Sequence, residues 1–336
     1  MNCGCAGAGS GWRRDGLAPL SAGTIGHFAK RLNSPPLTLS GSICALATPL
    51  RSRDDALDLD AFGRLLDYQI SGGTRALVVA GSTGEAAALD ESEYSTLLEF
   101  AVTRIAGRLP VLAGTGLSAT RKTVAQTQRA RAAGIDCALV VAPAYVRPTQ
   151  EGLYRHFSEV AEHGGLPVML YNVPSRTACD LQPATVARLA AHGNIIGIKE
   201  ALPDVERMQA LLALKSADFR VFSGDDPSGA RALRAGCDGV ISVAANVAPW
   251  LFSQLCEAAA QGNFERADAL DADLRPLYEV LGVEPNPIPV KWCLAQLGIG
   301  EPGLRLPLLP LSAAHHAAAN AVLHRLGLIE AARAAG

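Results

Sequence analysis

Short, unbroken apolar runs alternate along this chain with longer segments whose apolar positions return every three or four residues. The runs are "SICALATP" (42–49), "ALVVAG" (76–81), "VLAGTG" (111–116), "CALVVAP" (137–143), "PVMLYNVP" (167–174), "IIGIKEA" (195–201), "RVFSGDD" (220–226) and "GVISVAAN" (239–246). Their apolar character is continuous rather than alternating, as expected of strands covered on both faces. Between them, "LDAFGRLLDYQISGG" sets Leu59, Phe62, Leu65, Leu66 and Ile70 on one helical face. "ESEYSTLLEFAVTRIAG" does the same with Leu97, Leu98, Ala101, Val102 and Ile105. Asp90–Glu91, Ser118 and Asp226–Pro227 stand where helices begin, as capping residues should.

Eight strand runs separated by helical segments predict a parallel α/β architecture. Packed into about 220 residues, the eight units point to a closed (β/α)8 TIM barrel. The alternative, an open doubly wound sheet, normally carries a glycine-rich phosphate loop after its first strand, and "ALATPLRSRDD" has none. Past residue 262 the strand pattern ends, and "FERADALDADLRPLYEVLG", "NPIPVKWCLAQLGIG" and "SAAHHAAANAVLHRLGLIEAARAAG" read as helices. The predicted organisation is therefore a barrel over 38–262 and a C-terminal helical domain over 263–336. Residues 1–37 are rich in Gly, Ala and Ser, with Arg13, Arg14, Lys30 and Arg31 against Asp15 alone. They read as a disordered extension or a start codon assigned too early, although a basic leader also fits an organelle transit peptide.

Composition narrows the function. A net charge of −2 over 336 residues gives no electrostatic reason for nucleic acid or an anionic membrane as partner. No apolar run reaches the roughly 18–20 residues that span a bilayer. The eight cysteines are scattered without a CxxC pair, which predicts reduced, mostly buried thiols of a cytoplasmic protein and no metal site.

The candidate chemistry lies at the ends of the strands, where barrel active sites form. Lys199 is the anomaly, because an ammonium group at the end of an isoleucine-rich strand is costly to bury. The chain has five lysines beside 25 arginines, and Lys199 is the only lysine inside a strand run. Its neighbour Glu200 points to the opposite face and cannot neutralise it. An apolar setting favours the free amine, which attacks ketones to form an imine. Such chemistry needs a proton shuttle, and Tyr171 ends the preceding strand, though it also suits an ordinary core tyrosine. Tyr145, ending the strand before that, reads by itself as packing or surface pairing. "GSTGE" (81–85) offers amides and hydroxyls to a carboxylate, though its glycines also suit an ordinary turn. Asp225–Asp226 reads as a helix cap rather than an acid pair. The class is a Schiff-base aldolase or synthase.

The motifs "GSTGE", "AYVRPTQEGLYRHF", "YNVPSRT", "IGIKEA", "SGDD", "GVISVAAN" and "NPIPVKW", in this order and spacing, resemble the dihydrodipicolinate synthase/N-acetylneuraminate lyase family of pyruvate-dependent class I aldolases. The resemblance covers nearly everything beyond residue 37. It implies that Lys199 forms the imine with pyruvate, that Tyr171 is the acid/base, and that no cofactor is needed. It also implies that Ser82 or Thr83 binds the pyruvate carboxylate and links Tyr171 to Tyr145, with Gly224 and Ile241 in the substrate site. Many relatives have threonine where this chain has Ser82; a hydroxyl remains. Tyr145 is implied to reach across a dimer interface within a homotetramer built from two dimers.

Arg176, in "NVPSRT", matches the residue that binds the carboxylate of L-aspartate 4-semialdehyde, a task suited to a bidentate guanidinium. The implied reaction is condensation of pyruvate with that aldehyde in diaminopimelate and lysine biosynthesis. Other readings share Lys199 and Tyr171: an N-acetylneuraminate lyase or a 2-keto-3-deoxy sugar acid aldolase, and a catalytically silent sensing module. Family members inhibited by lysine bind it at positions matching Glu91, Tyr94, Ser118, Lys122 and Ala144. A cation at Lys122, where sensitive members carry a carboxylate, implies weak or absent inhibition.

Overall fold

A computed structural model describes residues 37–329, together with Met1. The expectation of a disordered leader therefore falls outside the described residues, apart from Met1 and Leu37. The eight apolar runs fold as β1 (Gly41–Ala45), β2 (Ala76–Val79), β3 (Val111–Gly114), β4 (Cys137–Val141), β5 (Val168–Asn172), β6 (Ile195–Glu200), β7 (Arg220–Ser223) and β8 (Gly239–Ser242). Each pairs in parallel with its sequence neighbour, and β1 closes on β8 from Gly41↔Gly239 to Cys44↔Ser242. The architecture is the (β/α)8 barrel the pattern predicted.

Strand residues are buried on both faces, for the reason the continuous runs suggested. Ile43, Leu112, Met169, Phe222 and Ile241 are all buried and alternate along their strands with residues that pack under the helices. They fill the barrel below its C-terminal mouth. Between β5 and β6 the register slips: Val168 pairs with Ile195, whereas Met169 pairs with Gly197. Ile196 is thus an extra residue, a β-bulge. A shift of one residue exchanges the two faces of a strand. Downstream of the bulge, Lys199 stands directly across from Tyr171.

The helices begin largely where the capping residues stand. Asp90 and Glu93 form a reciprocal capping box on Glu91–Ile105, and Asp58 caps Leu59–Ser71 through Ala61 N at 2.9 Å. Two expected caps are otherwise employed. Ser118 donates to Ala144 O at 2.9 Å, and the following helix, Thr120–Ala132, has no side-chain cap. Asp226 accepts from Val243 N (3.1 Å) and Ala244 N (2.8 Å), and only Asp225 bonds to Ser228 at the start of Gly229–Ala235. The face of Leu59–Ser71 also differs: Leu59 and Ile70 are half-buried, and Gln69 is buried, its amide donating to Ala245 O at 2.9 Å.

From Leu39 onward the described residues form one compact unit. Helices Pro249–Ala260, Phe264–Leu281, Ile288–Gln296 and His316–Arg325 complete it. The seam between the first and last strands is pinned by Asn246. Its Oδ1 accepts from Ala47 N (3.0 Å), and its Nδ2 donates to Ala45 O (2.8 Å) and Val243 O (2.9 Å). Asn246→Ala strands buried backbone groups on both sides of the seam and is expected to lower the unfolding free energy by about 2–4 kcal/mol in urea titration.

Candidate active site

β6 brings Lys199 to the inner face, 5% exposed, beside Tyr171 of β5, 7% exposed. Its ammonium nitrogen lies 4.4 Å from the centre of the Tyr171 ring. Among the described residues no carboxylate stands within ion-pair distance of this nitrogen. Glu200 points outward, as strand alternation requires. It accepts from Asn172 Nδ2 (3.0 and 3.1 Å), Arg207 Nε (2.7 Å) and Leu202 N (2.9 Å). Burial pushes the Glu200 carboxyl above its ordinary pKa, against the opposing pull of Arg207.

Lys199 opens into a cavity of about 290 Å³ lined also by Ser82, Thr83, Tyr171, Arg176, Gly224, Asp226 and Asn286. Ser82, Tyr171, Arg176 and Asn286 also border an adjoining cavity of about 590 Å³ that runs outward past Ser118 and Ala144 to Arg305. Six of the eight residues named from sequence therefore share one site. Ile241 is fully buried on the inner face of β8, below the cavity, and Val243 two residues further on is the lining residue. Tyr145 lines neither cavity; it is 91% exposed, with φ at +73°.

Backbone geometry shapes the site. Ala80 and Glu85, both at positive φ, bracket the turn that carries Ser82 and Thr83. Gly84 N and Ala86 N both donate to Gly81 O (3.1 and 3.3 Å), and Glu85 N donates to Ser82 O (3.3 Å). Thr83 is buried, with its hydroxyl accepting from Asn286 Nδ2 at 2.9 Å. Arg176, exposed on the short helix Pro174–Thr177, donates to Asn286 O at 3.1 Å. Gly224 is required by close approach, since a Cβ there would lie 2.6 Å from Lys199 Cε.

Sequence reasoning missed Asn286, whose motif was quoted but given no role. It also misjudged Asp226, which lines the cavity with Oδ1 unpartnered. Burial raises the Asp226 carboxyl pKa, while Ser242, two backbone amides and the charge of Lys199 oppose the shift. The signal available was its place at a strand end. The six described cysteines are free and buried. Among the described residues no cluster of three or more His, Cys, Asp or Glu is arranged to hold a metal, and no helix is long and apolar enough to cross a membrane.

A closed parallel barrel with an unpaired buried lysine over a tyrosine ring, hydroxyls and an arginine at its mouth defines a carbonyl-binding, Schiff-base class of site. Residues 38–326 match the model of the Dihydrodipicolinate synthetase family, and the chain belongs to that family. It is 58% identical over 295 residues to the 4-hydroxy-tetrahydrodipicolinate synthase of Stenotrophomonas maltophilia (strain K279a), covering 88% of this chain and 99% of that protein. It is 59% identical over 284 residues to the synthase of the same name from Xanthomonas axonopodis pv. citri (strain 306), covering 84% and 93%. Among solved structures it is similar to the chloride-inhibited dihydrodipicolinate synthase from Acinetobacter baumannii complexed with pyruvate. That match has a TM-score of 0.85 and 40% identity and covers 87% of this chain and 100% of that one.

Gly224→Ala is expected to displace the lysine stem, with an overpacking cost of about 1–3 kcal/mol in stability. A displacement of about 1 Å costs on the order of 100-fold in rate, which single-turnover measurement of adduct formation at Lys199 reads directly.

Proposed function

We propose that the chain condenses pyruvate with L-aspartate 4-semialdehyde, the reaction of 4-hydroxy-tetrahydrodipicolinate synthases. The observation that carries the reading is the buried Lys199 amine, unpaired and 4.4 Å from the Tyr171 ring centre. Lys199 Nζ attacks the pyruvate ketone carbon, and loss of water leaves a protonated imine. Tyr171 passes protons between nitrogen and oxygen, then accepts one from the methyl group to give the enamine. The enamine carbon bonds to the aldehyde carbon of the second substrate, whose oxygen takes a proton. The amine of that substrate then attacks the imine carbon and expels Lys199, closing the ring. One water leaves overall, the product is 4-hydroxy-tetrahydrodipicolinate, and no cofactor beyond the covalent imine is required.

Ser82 and Thr83 hold the pyruvate carboxylate, and Gly224 keeps the lysine stem in place. Arg176 binds the carboxylate of the aldehyde substrate, which is the basis for preferring this reaction over cleavage of sialic acid or a sugar-derived 2-oxo acid. Tyr145, exposed and lining neither cavity of its own chain, completes the site of a second copy in a homo-oligomer, a tetramer of two dimers. The protein works in the cytoplasm.

Borohydride in the presence of pyruvate is expected to add a pyruvate-derived mass to the peptide holding Lys199; labelling elsewhere overturns the mechanism. Arg176→Ala is expected to raise KM for the semialdehyde by tenfold or more, about 1.4 kcal/mol or above, with KM for pyruvate little changed. Turnover of sialic acid in place of the semialdehyde would reverse the assignment.

Feedback by lysine is expected to be weak or absent. Glu91 is paired with Arg129 at 2.6 Å, Tyr94 donates to Gly114 O, Ser118 donates to Ala144 O, and Lys122 is exposed. An initial rate halved by millimolar lysine contradicts this.

A further inference from the structure

The motif "NPIPVKW" holds a second buried lysine that the chemistry above does not use. Lys291, in the helix Ile288–Gln296, has its Nζ 2.5 Å from Glu85 Oε1, and each side chain is 2% exposed. Glu85 ends the Gly81–Glu85 turn, and its other carboxylate oxygen accepts from Arg305 N at 3.3 Å. Asn286, five residues before Lys291, donates to Thr83 Oγ1 at 2.9 Å. One C-terminal segment thus grips the turn at two points, on either side of Gly84.

Stability alone gives little reason for such a pair. Two well-packed neutral side chains of similar volume are often as stable as a buried ion pair, or more so. An ion pair does supply a single defined geometry. Glu85 has φ of +53°, a left-handed conformation that a non-glycine residue keeps only when its surroundings hold it there. Glu85 N closes the turn on Ser82 O, so the position of Glu85 sets the backbone that carries Ser82 and Thr83.

We infer that Lys291 and Glu85 are positioning residues, whose ion pair sets the Ser82–Thr83 turn and thereby the affinity for the carboxylate of the 2-oxo acid substrate. This assignment rests on the reading of that turn as the carboxylate site. The pair does not touch the reacting atoms, and it acts on binding rather than on proton transfer.

The test is the double variant Glu85→Gln/Lys291→Met, which removes both charges at similar volume and leaves no buried charge unpaired. Borohydride trapping at Lys199 is followed against pyruvate concentration, beside steady-state kinetics and thermal melting. The expected result is a half-saturating pyruvate concentration raised about tenfold, a kcat lowered by less than roughly threefold, and a melting temperature within a few degrees of the unaltered protein. Lys291→Arg, which keeps the charge, is expected to restore half-saturation to within about threefold. A folded double variant with half-saturation within twofold of the unaltered protein overturns the assignment. So does a rise in half-saturation that accompanies a collapse of both kcat and melting temperature, because that marks a purely structural pair. Should the double variant fail to fold, Glu85→Gln alone, whose amide oxygen accepts from Lys291 in place of Oε1 and which gives up the 3.3 Å bond from Arg305 N, is judged by the same outcomes. Absence of trapping in the unaltered protein fails the reading of the site itself, and this assignment falls with it.

Discussion

The site depends on a register constraint in the barrel wall. The bulge at Ile196 advances β6 by one residue against β5, and everything after it changes face. Without that extra residue Ile198 would enter the barrel and Lys199 would face the helices, beyond reach of Tyr171. Gly197, the first residue after the bulge, lies so near the Arg220 carbonyl that a Cβ would stand 2.4 Å from its oxygen. The bulge and the glycine together hold the turn of the strand that puts a lysine across from a tyrosine.

Lys199 and Lys291 show how environment divides one residue type between two tasks. Both are buried, and for Lys291 burial lowers the pKa while the Glu85 charge opposes the shift. Lys291 has its carboxylate at 2.5 Å, and its nitrogen is engaged there. Lys199 has an aromatic face and an open cavity instead, so its nitrogen remains accessible to a carbonyl carbon. The neighbouring Glu200 is kept away by alternation and engaged by Asn172 and Arg207. Separating the two charges on opposite faces of β6 is what leaves the amine unpaired.

The last third of the chain closes the mouth of the barrel. Asn286 links Thr83 to Arg176, joining the groups assigned to the two carboxylates through one side chain and its own carbonyl. Its role was illegible in sequence because an asparagine between two prolines carries a strong turn signal and nothing that marks a site. Asp226 was misread for a related reason: an acid before proline is the ordinary form of a helix cap, and its true donors lie on the loop after β8.

Beyond the family resemblance that implied Arg176 and Gly224, local pattern was enough for the eight strands, their order of parallel pairing, most helix starts, and the placing of Lys199, Tyr171, Ser82 and Thr83 at strand ends. These follow from periodicity and from the rule that a barrel gathers its chemistry at strand ends, both of which act over short stretches of chain. The tertiary structure alone decided the bulge that turns Lys199 inward, the burial of Gln69, and the partners of Asp226. It alone decided the joining of Glu85 to Lys291 as well. Each of these pairs residues far apart in sequence or resolves which of two faces is buried, and only the closed barrel fixes the distances that make the choice.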